Sequence, residues 1–227
     1  MSVTRILLVG ANGRMGQAVA AAAAKDTSLT ISARIERGDP VARVIENCDA
    51  VIDFSDADAT EAVCQACAQH GKPLVLGTTG HSAAQKEAVA AVAQKIPLVF
   101  AANFSVGVNV LFALTRRAAE LLGDDFDLEV VELHHRTKKD APSGTAKRLL
   151  EILQEMRGGH PAVPAHSIRA GDIVGEHTVI FAGAGERLEL THRASSRETF
   201  AVGALRAVRW ALKQPPGLYN MENVIGL

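Results

Sequence analysis

Between residues 132 and 145 the chain reads Glu132-Leu133-His134-His135-Arg136-Thr137-Lys138-Lys139-Asp140-Ala141-Pro142-Ser143-Gly144-Thr145. The run begins at the end of a β-prone stretch and finishes where Ser143 can cap a helix through Ala146 to Gln154. Cationic side chains and helix N–H donors then converge on one point, which suits a small dianionic substrate. Most such runs are solvated loops. The rest of the chain decides whether this one has a ligand to meet. Metal binding fits poorly, because the adjacent His134 and His135 on a strand point to opposite sides.

The nucleotide-binding half announces itself at Gly10-Ala11-Asn12-Gly13-Arg14-Met15-Gly16, a G-x-x-G-x-x-G variant of the dinucleotide fingerprint. Glycine lets the backbone turn tightly and approach a pyrophosphate, while the following helix offers N–H groups and the positive end of its dipole. The motif is weak alone, but a strand precedes it, a helix follows, and Glu36 stands about 20 residues beyond Gly16, where a ribose hydroxyl would lie. Arg37 follows directly. A carboxylate there suits the 2′-hydroxyl of NADH and a guanidinium the 2′-phosphate of NADPH, so NADH or NADPH is expected as cofactor. Two more strand ends carry small or polar residues, Gly77-Thr78-Thr79-Gly80 and Ala101-Ala102-Asn103-Phe104-Ser105. In open α/β sheets ligands gather beyond the carboxyl ends of strands, so both segments are placed to meet the nicotinamide.

The elements that must position these residues follow from periodicity. Through residue 103, β-branched runs alternate with alanine-rich helical stretches, which predicts βαβ units and a parallel sheet. Strands are expected at Ile6 to Val9, Leu29 to Ile35, Ala50 to Phe54, Pro73 to Leu76 and Leu98 to Ala101. Helices are expected at Gly16 to Lys25, Ala57 to His70 and Ala83 to Gln94. The second half predicts a helix near Val108 to Leu122 and a strand over Asp127 to Leu133 without strict alternation. A hairpin, Thr178 to Phe181 with Arg187 to His192, turns at Gly183-Ala184-Gly185. Strands follow one another there without crossover helices, which marks a separate α+β unit. A last helix opens at Ser195 with a Ser-x-x-Glu capping box to Glu198 and stops at Pro215-Pro216. The fold class is therefore α/β, a Rossmann-like dinucleotide-binding domain plus a second α+β domain.

Composition narrows the partners. The 227 residues are 48% hydrophobic and 22% charged, with a formal net charge of −1, a globular balance that argues against nucleic acid as the main partner. The apolar run Ile6-Leu7-Leu8-Val9 is too short for a signal peptide core or a membrane span, so the cytoplasm is expected and no membrane contact. The three cysteines, Cys48, Cys64 and Cys67, have no disulfide-framework spacing. The C-x-x-C at Cys64 and Cys67 is expected to be thiols packed on a helix.

Taken in order, GANGRMG from Gly10, VIDFS from Val51, GTTG from Gly77, FAANFSVGVN from Phe100, HHRTKKDAPSGTA from His134, RAGDIVGEHTVIF from Arg169 and GERLELTHRASSRETFA from Gly185 cover nearly the whole chain. In this order the segments resemble the dihydrodipicolinate reductase family. The resemblance implies a dinucleotide-binding domain over residues 1–105 plus 197–227, closed by the C-terminal segment. It implies a substrate-binding and tetramerisation domain over 106–196, with hinges near Ser105 and Ser196. It places the cofactor at Gly10, Ala11, Asn12, Gly13, Arg14 and Met15, at Glu36 and Arg37, at Gly77, Thr78 and Thr79, and at Ala101, Ala102, Asn103 and Phe104. His134 and Lys138 become the catalytic pair, and His135, Lys138, Ser143, Gly144 and Thr145 hold a dicarboxylate. The implied reaction is loss of water from 4-hydroxy-tetrahydrodipicolinate and hydride reduction to tetrahydrodipicolinate, in diaminopimelate and lysine synthesis, by a homotetramer. The chain departs from the family in a short segment between Glu36 and Val51, with a Gly38-Asp39-Pro40 turn and one helical segment, and in an abbreviated stretch from Gly158 to Ala165. Two other readings stay open: another nicotinamide-dependent oxidoreductase acting on an amino or keto acid, and a dinucleotide sensor without catalysis, for which the cluster from His134 to Thr145 would have no use.

Overall fold

The computed structural model describes residues 3–158 and 162–227, so residues 159–161 of the abbreviated stretch lie outside the described residues. The chain divides into two compact units, one formed by residues up to Ser105 together with Glu198–Leu227, the other by Val106–Arg197.

The first unit is built on a six-stranded parallel sheet in the order β10-β5-β4-β3-β1-β2. Its strands are β1 (Thr4–Val9), β2 (Leu29–Ile35), β3 (Ala50–Asp53), β4 (Leu74–Leu76), β5 (Pro97–Phe100) and β10 (Gly217–Tyr219). The central strands are apolar without alternation because both faces are covered: Ile6, Leu7, Leu8, Val51, Ile52, Leu74, Val75 and Leu76 are fully buried. Helix α1 (Arg14–Ala23) carries the chain from β1 outward to β2, whereas α2 (Thr60–Gln69) and α3 (Ala83–Ala93) carry it the other way through β3, β4 and β5. Right-handed crossovers therefore place α1 and α2/α3 on opposite faces. Val63, Cys64, Ala66 and Cys67 of α2 and Val89 and Ala93 of α3 join Leu7, Val9, Val51, Leu74, Leu76 and Leu98 in one core. On the other side α1 packs on α6 (Glu198–Ala211), and α6 on β3, β4 and β5. Cys64 and Cys67 are buried free thiols in that core, and burial pushes the Cys64 thiol up to about 12, as packed thiols on a helix should be.

Three features of this unit differ from the sequence reading. The segment after Glu36 holds two 3₁₀ turns, Val41–Arg43 and Ile45–Asn47, in place of one helical segment. Beyond Pro215-Pro216 the chain continues into β10 and α7 (Met221–Ile225), pieces too short to carry a readable period. Helix α6 opens at Glu198, three residues after Ser195, so Ser195 is not its cap.

The second unit has a four-stranded sheet in the order β7-β6-β8-β9, made of β6 (Asp127–His134), β7 (Ala165–Arg169), β8 (Gly175–Gly183) and β9 (Glu186–Ala194). The β8–β9 hairpin turns at Ala184-Gly185, with Gly185 at φ +86°, as the glycines predicted. The expectation of no crossover helix is corrected: α5 (Gly144–Met156) links β6 to β7, and that pair is parallel. β7 escaped notice because it is a mostly exposed edge strand with the mixed sequence Ala-His-Ser-Ile-Arg. β6, in contrast, alternates strictly. Leu128, Val130, Glu132 and His134 all point inward; the apolar count broke because polar residues take the inward places at one end. Leu128 and Val130 meet Val179 and Phe181 of β8, Leu149, Ile152 and Leu153 of α5, and Leu111 and Phe112 of α4 (Val106–Leu122). The buried face is thus apolar at one end and polar at the other.

Candidate active site

Strand register brings the candidate cofactor residues together. Val9 pairs with Ile35 and Asp53, Asp53 with Leu76, and Leu76 with Phe100. The residues that follow these strand ends are Gly10, Glu36, Phe54, Gly77 and Ala101, so five separate segments emerge along one edge of the sheet. The strand order reverses beside β1, between β2 and β3, which is the switch point where open α/β sheets bind ligands.

The local backbone explains the motif residues. Gly10 has φ +74°, and a Cβ there would lie 2.7 Å from the Phe54 carbonyl oxygen. A Cβ on Gly16 would overlap the Gly10 carbonyl and come within 2.6 Å of the Ala11 Cα. These two glycines let turn and helix pack closely. Gly13 is different: its Cβ would meet only the Gly10 oxygen, at 3.3 Å. Gly13 stands at the N-terminus of α1, which has neither a side-chain cap nor an acidic residue in its first turn. The end of that helix suits an anionic ligand. Glu36 is drawn to the same turn, accepting the Asn12 N–H at 2.6 Å. Arg37 pairs with Asp56 at 2.9 Å and Asp58 at 3.3 Å. A cleft of about 320 Å³ runs past Val9, Glu36, Arg37 and Asp58. On the next strand ends, Thr78 is buried and donates to Asp53 Oδ1 at 3.3 Å, and Gly77 lies under the Phe54 ring, where any Cβ would overlap it. The Phe104 ring is buried edge-on against Phe54, and its carbonyl faces Gly203 of α6. Asp53 also belongs here; its carboxylate accepts from Ser55 and Thr78, and burial raises its pKa.

In the second unit, Glu132 and His134 sit two residues apart on the inward face of β6, and the His134 Nδ1 meets Glu132 Oε2. Arg169 from β7 grips the same carboxylate with Nη1 to Oε2 at 3.0 Å and Nη2 to Oε1 at 2.6 Å. Its Nη2 also donates to the Asp140 carbonyl at 2.6 Å, which ties down the loop bearing Lys138. The Ser143 N–H adds a fourth contact, to Oε1 at 3.2 Å. Burial alone would raise Glu132, but hydrogen bonds from Arg169, Ser167 and His134 outweigh it and hold the carboxyl at about 2. His134 moves down instead, because burial and the nearby Lys138 and Arg169 outweigh Glu132.

His177 of β8 pairs across the sheet with Glu132 and packs edge-on against His134, ring centroids 5.1 Å apart. Burial and the neighbouring imidazole push it down to about 3. Its Nε2 lies 3.1 Å from Ser143 Oγ, which caps α5 by accepting the Ala146 N–H. Lys138 Nζ is 2.8 Å from Asp140 Oδ1, and His135 Nδ1 2.8 Å from Thr137 Oγ1. Gly144 and Thr145 form the first turn of α5. His134 and Ser143 are therefore gathered by Glu132. The sequence reading did not single out Glu132, Arg169 or His177 as site residues. Only the polar interruption on the inward face of β6 could have pointed to Glu132; Arg169 and His177 arrive through strand pairing.

Among the described residues, Glu132, His134 and His177 form a group with the spacing of metal ligands. His135 is not in this group; its second imidazole is His177, which strand pairing brings from β8. What the geometry shows is a carboxylate whose oxygens already face a guanidinium, a cation that would repel a metal ion placed there.

A parallel sheet with a glycine turn at its switch point, on the same chain as a buried acid–imidazole pair beneath a cationic loop, defines a nucleotide-dependent oxidoreductase. Comparison with known proteins specifies it. The dihydrodipicolinate reductase N-terminus and C-terminus families match residues 4–104 and 107–225. The 4-hydroxy-tetrahydrodipicolinate reductase of Akkermansia muciniphila is 47% identical, covering 98% of each chain, and that of Halorhodospira halophila 42%, covering 97% of this chain and 98% of its own. In fold, a dipicolinate-bound dihydrodipicolinate reductase from Paenisporosarcina sp. TG-14 superposes with a TM-score of 0.82 over 97% of this chain and 99% of that one, at 22% identity. The chain belongs to the dihydrodipicolinate reductase family, and it reduces 4-hydroxy-tetrahydrodipicolinate with a pyridine nucleotide in diaminopimelate and lysine biosynthesis.

Proposed function

We propose that His134 is the general acid of this reduction and Lys138 its partner, binding a substrate carboxylate and assisting protonation. The observation that carries this is the burial of His134 against an ionised carboxylate at the polar end of an otherwise apolar sheet face, beside the loop that bears Lys138. Reduction of the conjugated imine leaves an anionic enamine, which needs a proton from a positioned acid. His135, Ser143, Gly144 and Thr145 would hold the ring carboxylates, the last two through the N-terminus of α5. The pyridine nucleotide supplies the hydride when bound. Gly10 to Met15 would cradle its phosphates, Glu36 and Arg37 its ribose, and Gly77 to Thr79 with Ala101 to Phe104 its nicotinamide end.

NADH and NADPH both support turnover in this reading. Glu36 can accept from a 2′-hydroxyl and Arg37 can donate to a 2′-phosphate, but Asp56 and Asp58 share that guanidinium and limit the gain from the phosphate. Self-association into a tetramer is supported by the second sheet's other face, where Val131, Leu133 and Ile180 are only half-buried and Ile168 is 44% exposed. Work in the cytoplasm is supported by the free cysteines. No described helix is long and apolar enough to cross a membrane.

The test is oxidation of NADH or NADPH with freshly prepared 4-hydroxy-tetrahydrodipicolinate. His134→Gln should lower kcat by about 10²-fold with KM changed less, and Lys138→Ala should damage both. Pyridine-2,6-dicarboxylate, the flat diacid dipicolinate that is bound to the Paenisporosarcina reductase, should compete with substrate. Wild-type kcat in both folded variants would place the chemistry elsewhere.

A further inference from the structure

Glu132 is fully buried, and three groups that can only donate aim at its carboxylate: Arg169 Nη1 and Nη2, and the Ser143 N–H. An ionised carboxylate ringed by donors has no proton to offer. The imidazole nitrogen that faces this carboxylate, His134 Nδ1, must then be a donor as well. We infer that Glu132, clamped by Arg169, is a positioning residue that holds His134 in the Nδ1–H tautomer and reserves Nε2 as the only nitrogen that passes a proton to substrate. The inference rests on the reading of His134 as the acid.

The proton balance is simple. The imidazolium carries protons on both nitrogens; the Nε2 proton leaves for the enamine carbon, and the neutral ring keeps the Nδ1 proton that Glu132 accepts. The product form of the acid is thus the tautomer already stabilised, and no ring rotation is needed between turnovers. A Cβ on Gly175 of β8 would stand 3.0 Å from Nε2, so glycine at that position keeps this edge of the ring clear. Every charged or titratable group facing the ring enters the balance. Glu132 on β6 favours the imidazolium; Arg169 on β7 and Lys138 in the loop oppose it. His177 on β8, backed by His192 on β9, is held neutral by burial and contributes its ring edge. Arg169 therefore has two effects, fixing the carboxylate and preventing its charge from locking His134 in the protonated state.

Glu132→Gln separates this from a merely structural role. Its carbonyl keeps the most donors in the Oε1 place, where Arg169 Nη2 and the Ser143 N–H converge; the NH₂ then takes the Oε2 place, loses the Arg169 Nη1 bond and faces Nδ1, which inverts the tautomer. A carboxylate-to-amide change of this kind behind a catalytic histidine costs about 10⁴-fold in the serine protease triad. Here kcat should fall at least tenfold, with KM nearly unchanged and the pH dependence of kcat/KM displaced. ¹⁵N NMR of histidine-labelled protein, with His134 assigned by its loss in His134→Gln, should show Nδ1–H in the wild type and Nε2–H in Glu132→Gln. An Nε2–H wild-type ring overturns the inference, and this measurement decides even if Glu132→Gln does not fold. Wild-type kcat and pH profile in folded Glu132→Gln also overturn it. If His134→Gln is impaired while Glu132→Gln is not, only the positioning role fails; if His134→Gln is fully active, the reading of His134 as the acid fails.

Discussion

Acid should unfold the second unit through His177, and the size of the effect can be worked from its surroundings. His177 is 3% exposed, its Nδ1 is buried without a hydrogen-bond partner, and its Nε2 faces Ser143 Oγ. The folded pKa is pushed down to about 3, against 6.5 for an ordinary histidine. A depressed histidine leaves stability intact above the unfolded value and removes it as pH falls from 6.5 toward 3, since only the unfolded chain takes up the proton. Each pH unit in that window costs about 1.4 kcal/mol, so roughly 2 kcal/mol is lost by pH 5. His134 and His192 are depressed too and add to the wild-type slope. His177→Gln keeps an amide near Ser143 Oγ and cannot titrate. Hydrogen exchange at the β6–β8 amides, corrected for intrinsic rates, follows this unit by itself between pH 7 and pH 5. The wild type should lose roughly 2 kcal/mol more protection than His177→Gln over that range. Equal slopes within about 0.5 kcal/mol, the usual error of additivity, would refute the buried neutral imidazole.

Gly16→Ala should weaken NADH binding by an order of magnitude or more in a fluorescence titration, because the new Cβ displaces the Gly10 carbonyl and so the turn itself. Gly203→Ala puts a Cβ into the Phe104 carbonyl from the middle of α6, and should destabilise the first unit by about 3 kcal/mol or more in urea melts. As a general acid with a lowered pKa, His134 should support kcat/KM at low pH and lose it as pH rises through a value below 6.5. A profile flat from pH 5 to 8 would remove that assignment. Gly175→Ala, pressing on Nε2 at 3.0 Å, should lower kcat while leaving NADH affinity unchanged, measured on the same preparation.

Local chemistry made much of this protein legible from its residues alone. Glycine spacing after an apolar run, a carboxylate about 20 residues on, and unbroken β-branched strands predict a buried parallel sheet with a nucleotide turn, because each depends on backbone sterics or burial within a few residues. Ser143 reads as a cap for the same reason, and the cap is present. What lay beyond the sequence was pairing. The alignment of Val9, Ile35, Asp53, Leu76 and Phe100 in one row is a matter of register between strands that are tens of residues apart. The polar end of β6 looked like a lapse in alternation until His177 from β8 and Arg169 from β7 supplied partners for Glu132 and His134. Burying an ionised carboxylate is tolerated only when donors surround it, and those donors come from β7 and from the cap of α5, so tertiary structure alone decided that Glu132 could sit there and what it does to His134.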